Sequence, residues 1–235
     1  MKSIFCSLLL LTASASLYAA EQPLTGFPFQ NETLRYNVNW PSGLSLGEVV
    51  LSAAKSEKGW SFDAEINVGI PGLPIADRYS SLMGTDYCSM ELSRTLSRGK
   101  KKNTEKTTFD QKRGKATRQT LFPEGGGKTD LDIPTCGRDA LAFLYFARKE
   151  LGQGRMPAPG KLYFGGEYSV RMEYTGAMEI PVAGKKTTTD HVNVSIKGPA
   201  SSVTFEMFFA RDAARTPLLV KIPVSVGTLS LELAR

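Results

Sequence analysis

The sequence predicts a mainly β protein of the α+β kind. It reads as a curved antiparallel meander sheet, or incomplete barrel, of about ten strands wrapping one apolar α-helix. Three observations carry this. Apolar and polar residues alternate with period two through most of the chain. Turn signals such as "PSG", "EKG", "KRGK", "PEGGGK" and "GPAS" fall between the alternating runs. One segment near 137–151 breaks the pattern with apolar residues at helical spacing.

Residues 1–20, "MKSIFCSLLLLTASASLYAA", place one lysine, an apolar run and small residues in the order of a secretory signal peptide. The run is too short for a stable membrane span. Cys6 lies inside it rather than at its cleavage edge, so no lipoprotein anchor is indicated. Export to the periplasm is the expectation, with residues 21–235 forming a single β-rich domain large enough for one core. No later stretch is apolar enough to cross a bilayer, and "LSLELAR" at the end lacks the aromatic of an outer-membrane barrel strand.

The strands follow. In "TLRYNVNW", Leu34, Tyr36, Val38 and Trp40 share one face. In "WSFDAEINVGI" the same face carries Trp60, Phe62, Ala64, Ile66, Val68 and Ile70. "EYSVRMEYT", "HVNVSI", "VTFEMFF" and "TLSLEL" obey the same rule. One buried and one wetted face is the signature of antiparallel sheets. Two runs, near 103–110 and 115–122, are polar on nearly both faces and read as edge strands, where lysines discourage stray pairing.

The helix is expected to be capped by Thr135 or Cys136, with Asp139 in its first turn beside the positive end of the dipole. Arg148 and Lys149 suit the other end, and Gly152 is a natural stop. Ala140, Phe143, Leu144, Ala147 and Leu151 form a stripe that Leu141, Tyr145 and Phe146 widen beyond one face. Such a helix is buried on most sides, inside a curved sheet or across the mouth of a barrel. Leu141, Phe143, Leu144, Tyr145 and Phe146 are the candidate wall of an apolar or lipid-like ligand site.

The net charge is +6, with much of the excess in "SRGKKKNTEK" and "DQKRGKATRQ". This basic stripe reads either as the wet face of a hairpin or as a surface for anionic headgroups. Export removes nucleic acid as a partner. Cys88 and Cys136 remain after leader removal, and an even pair in an oxidising compartment reads as a disulfide; a reactive thiol is the alternative. The loop "VGIPGLPIADRY" puts Ile70, Leu73 and Ile75 among prolines and glycine, where tips are usually polar. It either folds back over the helix or touches a membrane or partner.

No catalytic set emerges. His191 is the one histidine, and its strand neighbour Asp190 faces the other way. "EGGGKTD" has Phe122 where a phosphate loop needs its first glycine. No ligand spacing for a metal is visible, and no cofactor is expected. An envelope hydrolase using Asp and His side chains is the enzymatic alternative, and a structural partner-binding module is the third reading.

"FQNETLRYNVNW" with Gly47, "FDQKRGKATR", "CGRDALAFLYFAR", "TTTDHVNVSIKG" and "FFARDAARTPLLVKIPVSVGTLSLEL" together resemble the bacterial exported family catalogued as Domain of Unknown Function family 3108. The resemblance spans the mature chain. It implies an exported envelope protein and supplies no catalytic residues. The expected function is non-enzymatic binding of a lipid-like small molecule or of an envelope protein.

Overall fold

The computed structural model describes residues 31–234, apart from Pro71, Ala200, Val226 and the side chain of Ile70. The expected leader, 1–20, lies outside the described residues. Fifteen strands and one helix follow in order: β1 (Asn31–Asn39), β2 (Ser45–Ser56), β3 (Gly59–Ile70), β4 (Leu73–Met83), β5 (Ser89–Arg98), β6 (Lys101–Asp110), β7 (Lys115–Phe122), β8 (Lys128–Asp132), β9 (Arg138–Asp139), α1 (Ala140–Gly152), β10 (Gly160–Tyr163), β11 (Glu167–Val182), β12 (Lys185–Lys197), β13 (Ser202–Ala210), β14 (Pro217–Val224) and β15 (Gly227–Leu233).

All fifteen belong to one sheet, ordered β8 to β1 and then β15 to β9. Every pairing is antiparallel except the two-residue contact of β9 with β10. The mainly β class and the single helix agree with the sequence reading, but fifteen strands replace the expected ten. The extra strands are short or polar, and their inward positions mix apolar residues such as Phe109 and Ala116 with charged groups held in ion pairs. On β6, Glu105 is buried because Arg94 on β5 reaches it at 2.8 Å. The runs near 103–110 and 115–122 are therefore not the sheet edge; β8 covers β7 and is the exposed margin.

The sheet curls until its β9 end meets the start of β5. The Ser89 amide donates to the Gly137 carbonyl at 3.1 Å, and Gln111 brackets the same spot by bonding Ser89 and Gly137. Across the same seam Tyr163 donates its hydroxyl to the Asp132 carbonyl at 2.9 Å. Leu92, Phe109, Ala116, Ile133 and Tyr163 fill the overlap.

The helix lies across one mouth of this barrel. Leu141, Ala142 and Tyr145 pack with Trp60, Phe62 and Tyr79 on one wall, and Ala147 and Leu151 with Val170, Val192, Met207 and Phe209 on the other. Phe62 and Tyr145 stack at 3.9 Å between ring centroids. Each fully buried aromatic of this kind stabilises the fold by about 2–3 kcal/mol.

Its start differs from the expected one. Residues 135–139 are not helical. Arg138 and Asp139 pair with β10, and Asp139 is the cap, accepting from the amides of Leu141 and Ala142. Thr135 and Cys136 precede it, Cys136 with φ of 62°. The disulfide joins Cys88 to Cys136 and so ties the approach to the helix onto the β4–β5 turn.

Candidate functional site

In a meander, alternate turns share an end. The helix anchors show which end it closes. Asp139 accepts from Ser81, late in β4, at 2.6 Å and from Ser89, first in β5, at 2.7 Å. Arg148 grips Glu32, near the start of β1, and donates to the Ala214 carbonyl in the β13–β14 loop. All four anchors belong to the same end. The turns after β1, β3, β5 and β7 belong to the opposite mouth.

The five apolar helix residues do not share one wall. Leu141 and Tyr145 serve the cluster with Phe62, Phe143 and Leu144 serve the cluster with Met207, and Phe146 lies under the Arg138 guanidinium at 3.8 Å. Their partners are the barrel's own side chains.

The opposite mouth presents apolar tips. Leu44 is 63% exposed, Leu73 42%, Leu121 47% and Phe122 50%. Turn sterics hold some of them out. Gly43, at φ of 86°, bends the β1–β2 turn that carries Leu44. Gly227, at φ of 134°, lets the next turn close on Pro41, whose ring a Cβ would meet at 2.7 Å. Of the loop that the sequence singled out, Leu73 stands at the tip of a two-residue turn, beside Gly99 and far in the fold from the helix. Ile75 points into the core with Val38 and Leu46. The side chain of Ile70 lies outside the described residues.

Cations surround these tips. Lys100, Lys101 and Lys102 are exposed and make no ion pair among the described residues, and Glu124 is the nearby acid of the β7–β8 turn. The base of this hairpin is fixed. Buried Asp77 accepts from the Ser97 amide at 3.0 Å and from Arg98 at 2.7 and 3.0 Å. Tyr79 donates to the same carboxylate at 3.1 Å, and burial beside it pushes the phenol up to about 12. Leu96, Arg98, Lys101, Lys102, Asn103 and Phe122 line a cleft of about 580 Å³ here, within the size range of ligand sites. Sequence reasoning found the lysines but read Leu121 and Phe122 as part of an edge strand. Two consecutive apolar residues ahead of Pro123 were the overlooked signal.

Asp190 and His191 are not brought together. Asp190 accepts from Arg211 at 3.0 Å and Arg215 at 2.6 Å. His191 meets the Thr175 hydroxyl through Nδ1 at 2.7 Å and stacks on Phe208 at 4.5 Å. Parity with Asn193 and Ser195 would by itself turn the ring to solvent, but it is covered, because the long β11–β12 hairpin lays Ile180 and Val182 against Phe208. No group of three or more His, Cys, Asp or Glu side chains among the described residues is placed to hold a metal. No helix among them is long and apolar enough to cross a membrane.

Residues 35–234 match the family described as Protein of unknown function (DUF3108). The chain belongs to that family. The crystal structure of a beta-barrel-like protein of domain of unknown function DUF1849 from Brucella abortus is similar to this DUF3108 chain with a TM-score of 0.60 at 10% identity. The match covers 89% of this chain and 98% of the other. At that identity the likeness speaks to the fold alone, and it agrees with a DUF3108 sheet curled into a barrel. A crystal structure described as a proposed lipoprotein from Parabacteroides distasonis gives a TM-score of 0.33 at 8% identity, covering 87% and 94% of the two chains, and carries no argument. No curated protein matches the DUF3108 chain.

Proposed function

We propose that this is an exported, non-enzymatic protein of the bacterial cell envelope, resident in the periplasm, which docks on an anionic membrane surface through the mouth opposite its helix. The leader-like residues 1–20 and the Cys88–Cys136 bridge support export, since such bridges persist in oxidising compartments. The observation that carries the docking is the placement of Leu73, Leu121 and Phe122 on the same mouth as Lys100, Lys101 and Lys102. Each lysine near an anionic surface contributes about 1 kcal/mol, and each inserted apolar tip adds about 1–2 kcal/mol. Binding of that size is reversible.

The hydrolase reading has less support, because Asp190 is held by two arginines and His191 by a threonine, with no carboxylate orienting the imidazole at Nδ1.

Co-sedimentation of the mature, oxidised chain with vesicles tests the docking. Vesicles with three parts in ten phosphatidylglycerol should pull the protein down, and pure phosphatidylcholine should not. Leu73→Asp and Phe122→Asp should each weaken the anionic association at least tenfold while the melting temperature holds. Equal binding to both vesicle types, or none to either, would falsify it.

A further inference from the structure

Asn103 sits in the basic cleft with its side-chain oxygen Oδ1 buried and without a hydrogen-bond partner among the described residues. It pairs across β5 and β6 with Leu96, and Phe122 flanks it from β7 beside Thr104. A buried acceptor without a partner carries an uncompensated loss of hydration, so a ligand that supplies a donor there gains in affinity. The immediate neighbours Lys101 and Lys102 are cations, which call for an anion. The cleft floor is apolar: Leu96 also packs against the cluster under the helix. Three demands therefore converge on one ligand. It carries an anionic oxygen for the lysines, a hydroxyl for Asn103 Oδ1, and hydrocarbon for Leu96 and Phe122.

We infer that the cleft between β5, β6 and β7 binds the polyol-phosphate headgroup of an anionic phospholipid. The phosphodiester lies between Lys101 and Lys102, a headgroup hydroxyl donates to Asn103, and the first acyl carbons run along Phe122. This rests on the docking reading and adds headgroup selectivity to it. Neither lysines nor apolar tips distinguish one anionic lipid from another; the acceptor does.

Calorimetry with short-chain lipids below their micelle concentration separates the cases. Dihexanoyl-phosphatidylglycerol should bind saturably, one per chain. Dihexanoyl-phosphatidic acid, which lacks the headgroup hydroxyls, should bind at least fivefold more weakly. Deacylated glycerophosphoglycerol and inorganic phosphate should be weaker still, by tenfold or more. Asn103→Ala should erase the preference between the two lipids, and Asn103→Asp should abolish binding of both, with folding checked by the melting temperature. Lys101→Gln with Lys102→Gln should weaken both equally. Equal affinity for both lipids in the unaltered protein overturns the hydroxyl contact. Equal affinity for the deacylated compound overturns the lipid as the source. No saturation by either lipid, while anionic vesicles still bind, overturns the cleft and leaves docking standing; loss of vesicle binding as well removes both.

Discussion

Arg148 holds both carboxylate oxygens of Glu32, at 2.7 and 2.8 Å, from a side chain with no exposed surface. The pair bolts the helix to the first strand across the barrel mouth. Removing one member strands a buried charge, which costs about 3–5 kcal/mol. Arg148→Ala should therefore lower the denaturation midpoint sharply. Arg148→Met combined with Glu32→Leu should recover most of the loss, because a well-packed apolar pair replaces a buried ion pair at little cost. If the double variant is no better than the single one, the bolt is not what stabilises the helix here.

Cys88 and Cys136 lie 48 residues apart, and the loop they close is long. In the chain-entropy treatment such a bridge is worth about 4 kcal/mol. Reduction, or Cys136→Ser, should lower the melting temperature by roughly 10 °C for a domain of this size. Two titratable thiols in the oxidised, denatured chain would contradict the bridge.

Asp139 gives a pH dependence with a definite sign. Burial pushes its carboxyl above the usual carboxylate range, against the pull of the Ser81 and Ser89 hydroxyls and of two backbone amides. A folded-state pKa above the unfolded value contributes stability at pH below the unfolded pKa, and that contribution is lost as pH rises through the folded one. Asparagine is nearly as good a cap but does not titrate. The stability of the unaltered protein relative to Asp139→Asn should thus be greatest in acid and fall towards neutrality. Urea unfolding at several pH values measures this, and a difference that grows with pH would reverse the assignment. Asp139→Ala should cost about 3 kcal/mol in acid, from the lost cap and the two serine hydroxyls left without an acceptor, and less towards neutrality.

Salt separates the two halves of the membrane contact. Replacing Lys100, Lys101 and Lys102 by glutamine should remove about 3 kcal/mol of attraction, roughly a hundredfold in vesicle affinity. The residual binding, carried by Leu73, Leu121 and Phe122, should then be nearly insensitive to added salt, since screening acts on the charges. A triple variant that keeps the full salt dependence would place the electrostatic contact elsewhere.

The strands with strong alternation were legible in sequence because each buries one apolar face: Tyr36 and Val38 on β1, Phe62 and Ala64 on β3, Val192 and Val194 on β12. Polar positions that face inward were not legible. Asp77, Ser81, Glu105 and Thr107 are buried, and no local pattern predicts this, since partners such as Arg98, Arg94 and Asp139 come from other strands or from the helix cap. The helix start moved for the same reason. Asp139 was assigned to the first turn on dipole grounds, but Ser81 and Ser89, 58 and 50 residues away, fix it as the cap. Arg148 looked like a surface cation near a C-terminus; only the return of β1 shows that it is buried. At the candidate site, the lysines and Leu73 were visible as composition. Their gathering on one mouth follows from the alternation of turns, which needs the strand order.

The first strand pairs with the last, Tyr36 opposite Leu233 and Asn39 opposite Ser230, whereas nearly every other strand meets a near neighbour in sequence. Within the strand ladder, two runs of neighbouring strands are therefore joined by the β1–β15 pairing. A chain that folds as it is released from its amino end keeps β1 half-paired until β15 is present. The ladder therefore stays open along β1 until the last strand arrives.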